Sequence, residues 1–158
     1  MTALSLIEHN AVEAAMPHEV LTSRIGAEEY GIDILAVQEI RRYETPTRIA
    51  NAPMHMLGVM NLRGVIVPIV DLRHLLRLPA ANDANTVTVV VNVGSRTLGL
   101  VVDAVSDVMA LSAEQIQPRP AFGGQVDADF IVGLAQVTTG DTQRLLLLLD
   151  LNALLRDL

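Results

Sequence analysis

Two stretches of this chain repeat one another. The ten residues from Gly31, G-I-D-I-L-A-V-Q-E-I, resemble the ten from Gly99, G-L-V-V-D-A-V-S-D-V, 68 residues further on. Asp71-Leu72, with Leu75-Leu76 beyond, recurs 79 residues later as Asp150-Leu151 with Leu154-Leu155. Gly58 and Gly133, 75 apart, fall between the two matches. A single match between apolar strands is easily a coincidence, but a shared order points to duplication, and loops of unequal length make the offset drift. The 158 residues therefore read as two related units. Each is a hairpin, a glycine-bearing strand pair and a short capped helix.

The hydrophobic pattern supplies the elements. Residues 1–16 read as a frayed, flexible N-terminal tail, and Pro17 marks the entry to the fold over 17–158. His18–Ile25 reads as a first strand and Gly26–Glu29 as a turn. Tyr30–Val37 reads as a second strand, its Tyr30, Ile32 and Ile34 alternating with Gly31 and Asp33 as in a half-buried strand. Thr45–Pro53 is a loop between prolines, and Pro79–Asn85 is a polar connector at the junction of the units, 79–86. Thr86–Val93 and Leu98–Val105 form a hairpin around Gly94-Ser95-Arg96-Thr97. Ser112–Asp129 is a long loop carrying Pro118, Pro120 and Gly123-Gly124. Asp129–Thr138 and Arg144–Leu149 are strands, and Asp150 caps a last helix, Leu151–Leu158. Aromatic residues are 3% of a chain that is 51% hydrophobic, so the core is Val, Ile and Leu, which favours β structure. Short β units of this kind close into small barrels to remove edge strands. Two barrels side by side leave a groove suited to partner segments.

Leu57–Leu76 is the most informative stretch. Gly58 opens it, Asn61-Leu62-Arg63-Gly64 separates two β-prone runs, and the chain passes through Pro68 to Asp71, an N-cap for Leu72–Leu76. Arg63 is out of place in such a run. It must reach water or a carboxylate, because a buried unpaired charge costs several kcal/mol. Glu39 is its natural counterpart. The two either form no pair at all, form a surface ion pair worth about 0–1 kcal/mol, or make a polar landmark on a contact surface, where arginine is enriched. Val37 and Val105 occupy matching places in the repeats, as core valines or as interface valines. Gly58 and Gly133 each mark a close approach, within their own unit or to a partner.

Chemistry is harder to find. His9, His18, His55 and His74 have no ligand-like spacing, and with no cysteine there is neither a thiolate metal site nor a thiol nucleophile. No nucleophile elbow, phosphate loop or dinucleotide fingerprint occurs. Asp103 and Asp107 read as a solvated rim. These absences predict a protein that is not an enzyme and needs no cofactor. A net charge of −7 argues against a nucleic-acid partner. The early residues lack Lys and Arg and include Glu8, His9 and Glu13, unlike a secretion signal. Ala52–Leu62 and Leu145–Leu149 fall short of the ~18 apolar residues of a membrane span. The expectation is a cytoplasmic protein without direct membrane insertion.

The chain resembles the CheW family of chemotaxis coupling proteins. The residues that carry the resemblance run from Glu29 to Ile34, Val37 to Ile40 and Thr47 to Asn51. They continue through Gly58-Val59 and Asn61–Leu72, and in the second half through Val102–Val108 and Phe130–Leu134. The pattern N-L-R-G-x-x-V-P-x-x-D-L is its most specific part, and the resemblance spans about Glu19 to Leu155. It implies a mainly β fold of two SH3-like, five-stranded β-barrel subdomains packed around a shared core with short helices. It also implies a non-enzymatic adaptor, recruited to receptor arrays at the inner face of the membrane. The implied partners are the regulatory domain of the histidine kinase CheA, the cytoplasmic tips of transmembrane chemoreceptors, and other CheW copies in rings. The same role in a chemosensory-like pathway controlling pili or surface sensing is the alternative. Carried over by motif, the partner-binding residues are Val37, Glu39, Gly58, Arg63, Val87, Val105 and Gly133. The chain departs from the family at Ser23, where an aromatic residue is usual. That loss implies a cavity or repacking around the first strand, worth about 2–4 kcal/mol.

Overall fold

The computed structural model describes residues 18–118 and 130–156. The expected tail at 1–16, Pro120 and Gly123-Gly124 lie outside them. The strands are β1 (Glu19–Ile25), β2 (Glu28–Asp33), β3 (Val37–Arg42), β4 (Met56–Leu62), β5 (Val65–Asp71), β6 (Val87–Val93), β7 (Arg96–Val102), β8 (Ala104–Ala110), β9 (Ile116–Pro118), β10 (Ile131–Thr139) and β11 (Thr142–Leu149). The helices are α1 (Leu72–Leu75) and α2 (Leu151–Arg156). Asp71 and Asp150 cap them, accepting from the backbone N–H of Arg73 at 3.0 Å and of Ala153 at 3.1 Å.

The strands form two sheets, β8-β1-β2-β11-β10-β9 and β3-β6-β7-β5-β4. Without β9 the two orders superpose, β8 on β3, β1 on β6, β2 on β7, β11 on β5 and β10 on β4. Each has its parallel pair in the same place, β2 with β11 and β7 with β5. The repeat read from the sequence is thus a repeat of topology. It reaches the packing as well. A Cβ on Gly31 would sit 2.9 Å from Leu148 and 3.2 Å from Val20; on Gly99 it would sit 2.6 Å from Ile69 and 2.8 Å from Thr88. The last part of the drift in offset, from 75 to 79, has a simple source. Gly58 pairs with Ile69, eleven residues on, whereas Gly133 pairs with Leu148, fifteen on, so the second hairpin is longer.

The structure corrects the sequence reading in three places. Tyr30–Val37 is not one strand: β2 ends at Asp33, whose carboxylate accepts from Leu35 N–H at 3.0 Å and caps a 3-10 turn, Ile34–Ala36. Leu98–Val105 likewise breaks at Asp103. After each break the chain changes sheets, β3 pairing with β6 and β8 with β1. Each sheet therefore takes a hairpin from the other half of the chain, β1–β2 joining β8–β11 and β6–β7 joining β3–β5. Nor is β2 half-buried; it lies between β1 and β11, and Tyr30, Gly31 and Ile32 are all buried. Finally, the loop expected from Ser112 begins with a 3-10 turn, Ala113–Gln115, and with β9, which makes the first sheet six-stranded rather than five.

Three apolar clusters follow from this arrangement. Val20, Leu146 and Leu148 belong to the interior of the first sheet, and Leu62, Val67, Ile69, Val90 and Val101 to that of the second. The largest lies between the sheets and draws on both, from Ile25 and Ile32 to Leu100, Leu149 and Leu154. Fully burying one such side chain stabilises the fold by about 1.5–3 kcal/mol. The shared cluster is what holds the halves together.

Candidate functional site

Arg63 and Gly64 form the two-residue turn between β4 and β5, with φ of 53° and 90°. A two-residue hairpin turn favours positive φ because its twist then matches the strands, and Asn61 holds this one by accepting from Gly64 N–H at 2.8 Å. The turn aims Arg63 at β3, on the opposite edge of the same sheet. Its guanidinium donates to both carboxylate oxygens of Glu39, at 3.1 and 3.3 Å. Arg41 approaches the same carboxylate at 3.9 Å. The Arg63 side chain is 65% exposed, so the pair faces water and adds little to stability. Exposed Ile40, Val65 and Ile66 flank it, on the same β3 strand and hairpin. The result is an exposed charged pair on a stiff support, with exposed aliphatic residues next to it along the chain.

The first sheet carries a counterpart. By the 68-residue offset Glu39 corresponds to Asp107 and Ile40 to Val108; by the 79-residue offset Ile66 corresponds to Leu145. Val108 and Leu145 are likewise exposed. Asp107 accepts from Arg144 at 3.4 and 3.5 Å, and Arg144 also donates to Glu29 at 2.6 and 2.9 Å. Thr22 Oγ1 donates to the Asp107 carboxylate and accepts from Asp107 N–H at 3.1 Å. The hydrogen bonds from Thr22 and Arg144 hold the Asp107 carboxyl below its ordinary value. Those to Glu29 and then Asp107 push the Arg144 guanidinium up, against burial.

Asp107, its side chain 47% exposed, thus stands at the expected solvated rim but is tied into ion pairs, whereas Asp103 lies off that rim. Asp103 belongs to a third network centred on Arg73, which is buried at the start of α1. Arg73 donates to Asp71 through Nε at 2.9 Å and Nη2 at 3.1 Å, to Asp103 at 3.1 Å, to the Ala81 carbonyl at 3.1 Å and to Asn82 at 2.7 Å. All five guanidinium N–H groups are satisfied. Burial opposes the charge, but the bonds to Asp71 and Asp103 outweigh it and raise its pKa. The second oxygen of Asp103 accepts from Gly26 N–H at 2.7 Å. The network thus joins α1, the connector 79–85, the β7–β8 crossover and the β1–β2 turn. Sequence reasoning missed it: an arginine just after an N-cap looks like an ordinary helix residue, and Asp103 is 30 residues away.

The structure distributes the remaining residues carried over by motif. Val37 begins β3, Val105 lies near the start of β8 and Val87 begins β6; all three are half-buried against the shared core. Val37 and Val87 share the β3–β6 ladder but lie at opposite ends, opposite Val91 and Arg42. Gly58 and Gly133 sit at register shifts of β4 and β10, in different sheets. Both are buried. The close approach at Gly58 is internal. Its φ is 151°, and a Cβ there would lie 2.1 Å from the Thr47 carbonyl oxygen, because Thr47 and Val59 exchange backbone hydrogen bonds at 2.9 Å. Among the described residues no group of three or more His, Asp or Glu side chains is placed to hold a metal ion, and no helix is long and apolar enough to cross a membrane.

Comparison with known proteins agrees with this geometry. The family model described as the CheW-like domain matches residues 19–158. A Klebsiella aerogenes protein named Chemotaxis protein CheW is 47% identical over 156 residues, covering 98% of this chain and 91% of its own length. A Rhizobium etli protein named Probable chemotaxis protein CheW is 37% identical over 137 residues, with 86% of each covered. The crystal structure of the scaffolding protein TtCheW from Thermoanaerobacter tengcongensis matches with a TM-score of 0.76 at 28% identity, covering 85% of this chain and 90% of that one.

Proposed function

This chain belongs to the CheW-like domain family, and from that premise we propose that it is a non-enzymatic scaffold coupling transmembrane chemoreceptors to the histidine kinase CheA in chemotaxis signalling. The observation that carries this reading is the match to the family over residues 19–158, with two sheets arranged as the repeat requires. The exposed Glu39–Arg63 pair is the surface feature that supports partner binding best, since arginine is enriched at interfaces and this one stands on a stiff turn. Val37, Val87 and Val105 contribute through their exposed edges, and Gly133 through the bulge of β10. Gly58 acts indirectly, by seating the 45–50 loop on β4. The kinase regulatory domain, receptor tips and further copies of the adaptor are the partners, met in the cytoplasm beneath receptor arrays.

The test is reconstitution. Receptor-dependent kinase phosphorylation is expected only when receptor, kinase and this protein are combined, and no substrate turns over with this protein alone. Arg63→Ala is expected to shift stability by about 0–1 kcal/mol while weakening partner binding at least tenfold, read by thermal melt and by titration of each partner. A variant that melts far lower yet binds normally would mark Arg63 as structural and overturn the assignment.

A further inference from the structure

Between the sheets lies an open pocket of about 500 Å³, bounded by the Ile34–Ala36 turn, the β6–β7 turn and the start of α2. Asp33, Leu35, Gly94, Asp150 and Asn152 line it. The internal repeat says what this place is. By the two offsets Gly94 corresponds to Gly26, Asp150 to Asp71, Leu35 to Asp103 and Asn152 to Arg73. In the other half of the molecule the same position is filled: the Arg73 guanidinium occupies it, held by Asp71 and Asp103, with Gly26 N–H on Asp103. In this half Asn152 is too short to reach across, and Leu35, 90% exposed, supplies no charge. The carboxylate that grips the guanidinium most closely persists as Asp150, and a second is supplied by Asp33. Each caps its own turn through Oδ1, and Oδ2 of each makes no hydrogen bond among the described residues.

We propose that this pocket binds an arginine side chain presented by a protein partner, which takes the place that Arg73 takes in the other half. Among the described residues no lysine or arginine lines the pocket. The nearby Arg96 is turned away and donates to the Leu155 carbonyl at 3.1 Å. Ala36, Val93 and Leu151 form apolar walls that accommodate the methylene stem of an arginine. A planar guanidinium suits two carboxylates better than an ammonium does, because its donors are fixed in a fork.

The proposal stands apart from the adaptor reading, since its probe is a single small molecule. N-acetyl-arginine amide is titrated into the 15N-labelled protein, with the citrulline and lysine analogues as controls. Saturable shifts are expected at the amides of Asp33, Leu35, Gly94 and Asn152, with a Kd of about 1–10 mM for so small a ligand. The uncharged citrulline analogue binds at least tenfold more weakly, and the lysine analogue more weakly than arginine. Asn152→Arg supplies the chain's own guanidinium and abolishes the shifts. Leu35→Asp, at an exposed position, restores the counterpart of Asp103 and tightens binding about two- to fivefold. Equal responses to arginine and citrulline or to arginine and lysine, undiminished binding in Asn152→Arg, or no tightening in Leu35→Asp would each overturn it.

Discussion

Ser23 is fully buried, opposite Tyr30 in one ladder and Val105 in the other, and its Oγ has no hydrogen-bond partner among the described residues. A buried hydroxyl left unpaired forfeits its hydration without recompense, about 1–3 kcal/mol. Ser23→Ala is therefore expected to stabilise the protein by about 1 kcal/mol, seen as a higher urea midpoint at unchanged m value. A lower midpoint would mean that an internal water satisfies the hydroxyl. The anomaly at Ser23 was legible as a departure from the family, because a small polar residue stands where an aromatic one is usual. Arg63 was legible too: a charge in an apolar run must find water or a carboxylate, and the family motif singled out Glu39 beside it. Arg144 was not. Its partners Glu29 and Asp107 lie 115 and 37 residues away, and no local pattern announces a contact that only the topology creates.

Among the elements, the β4–β5 hairpin and α1 could be read almost residue by residue, since turn chemistry and an N-cap are local signals. The breaks at Asp33 and Asp103 could not. The apolar residues continue across both, so a period-of-two pattern runs on where the backbone in fact turns, capped by its own side chain at Asp33 and held by distant Arg73 and Gly26 at Asp103. The crossover at Asp103 is held by Arg73, and this gives the element its own prediction. Arg73→Met leaves Asp71, 3% exposed, and Asp103 without their cation. Removing one partner from a buried ion network costs about 3–5 kcal/mol. Arg73→Lys is expected to recover only part of this, because an ammonium cannot reproduce five planar bonds. Replacing the acids together with the arginine, as Arg73→Met with Asp71→Asn and Asp103→Asn, removes the unpaired charges and restores much of the loss. Urea unfolding of the three variants checks the order. A single variant within 1 kcal/mol of the wild type would show that water replaces the guanidinium.

At the scale of the whole molecule, the exchange of the β1–β2 and β6–β7 hairpins makes each sheet incomplete without the other half of the chain. The duplication was visible in the sequence; the exchange was not, since a strand looks the same whichever sheet receives it. With the shared core spanning both sheets, unfolding is one transition, and whatever loosens an exchanged strand loosens the whole. Asp107 sits on β8 and is tied to Thr22 on exchanged β1 and to Arg144 on β11, so its ionisation bears on the joint between halves. Those contacts lower its pKa from an ordinary 3.8. A depressed carboxyl contributes stability that is present above that ordinary value and is lost as pH falls through the lower, folded one. Asp107→Asn, which keeps the shape but not the charge, is therefore expected to melt below the wild type at neutral pH. The gap holds down to about pH 4, narrows below it, and closes once the wild-type carboxyl is protonated. Thermal melts between pH 7 and pH 2 read the gap directly. A gap that stays constant through the acid range would mean that Asp107 acts by shape and backbone contacts alone, and that the joint between halves is insensitive to its charge.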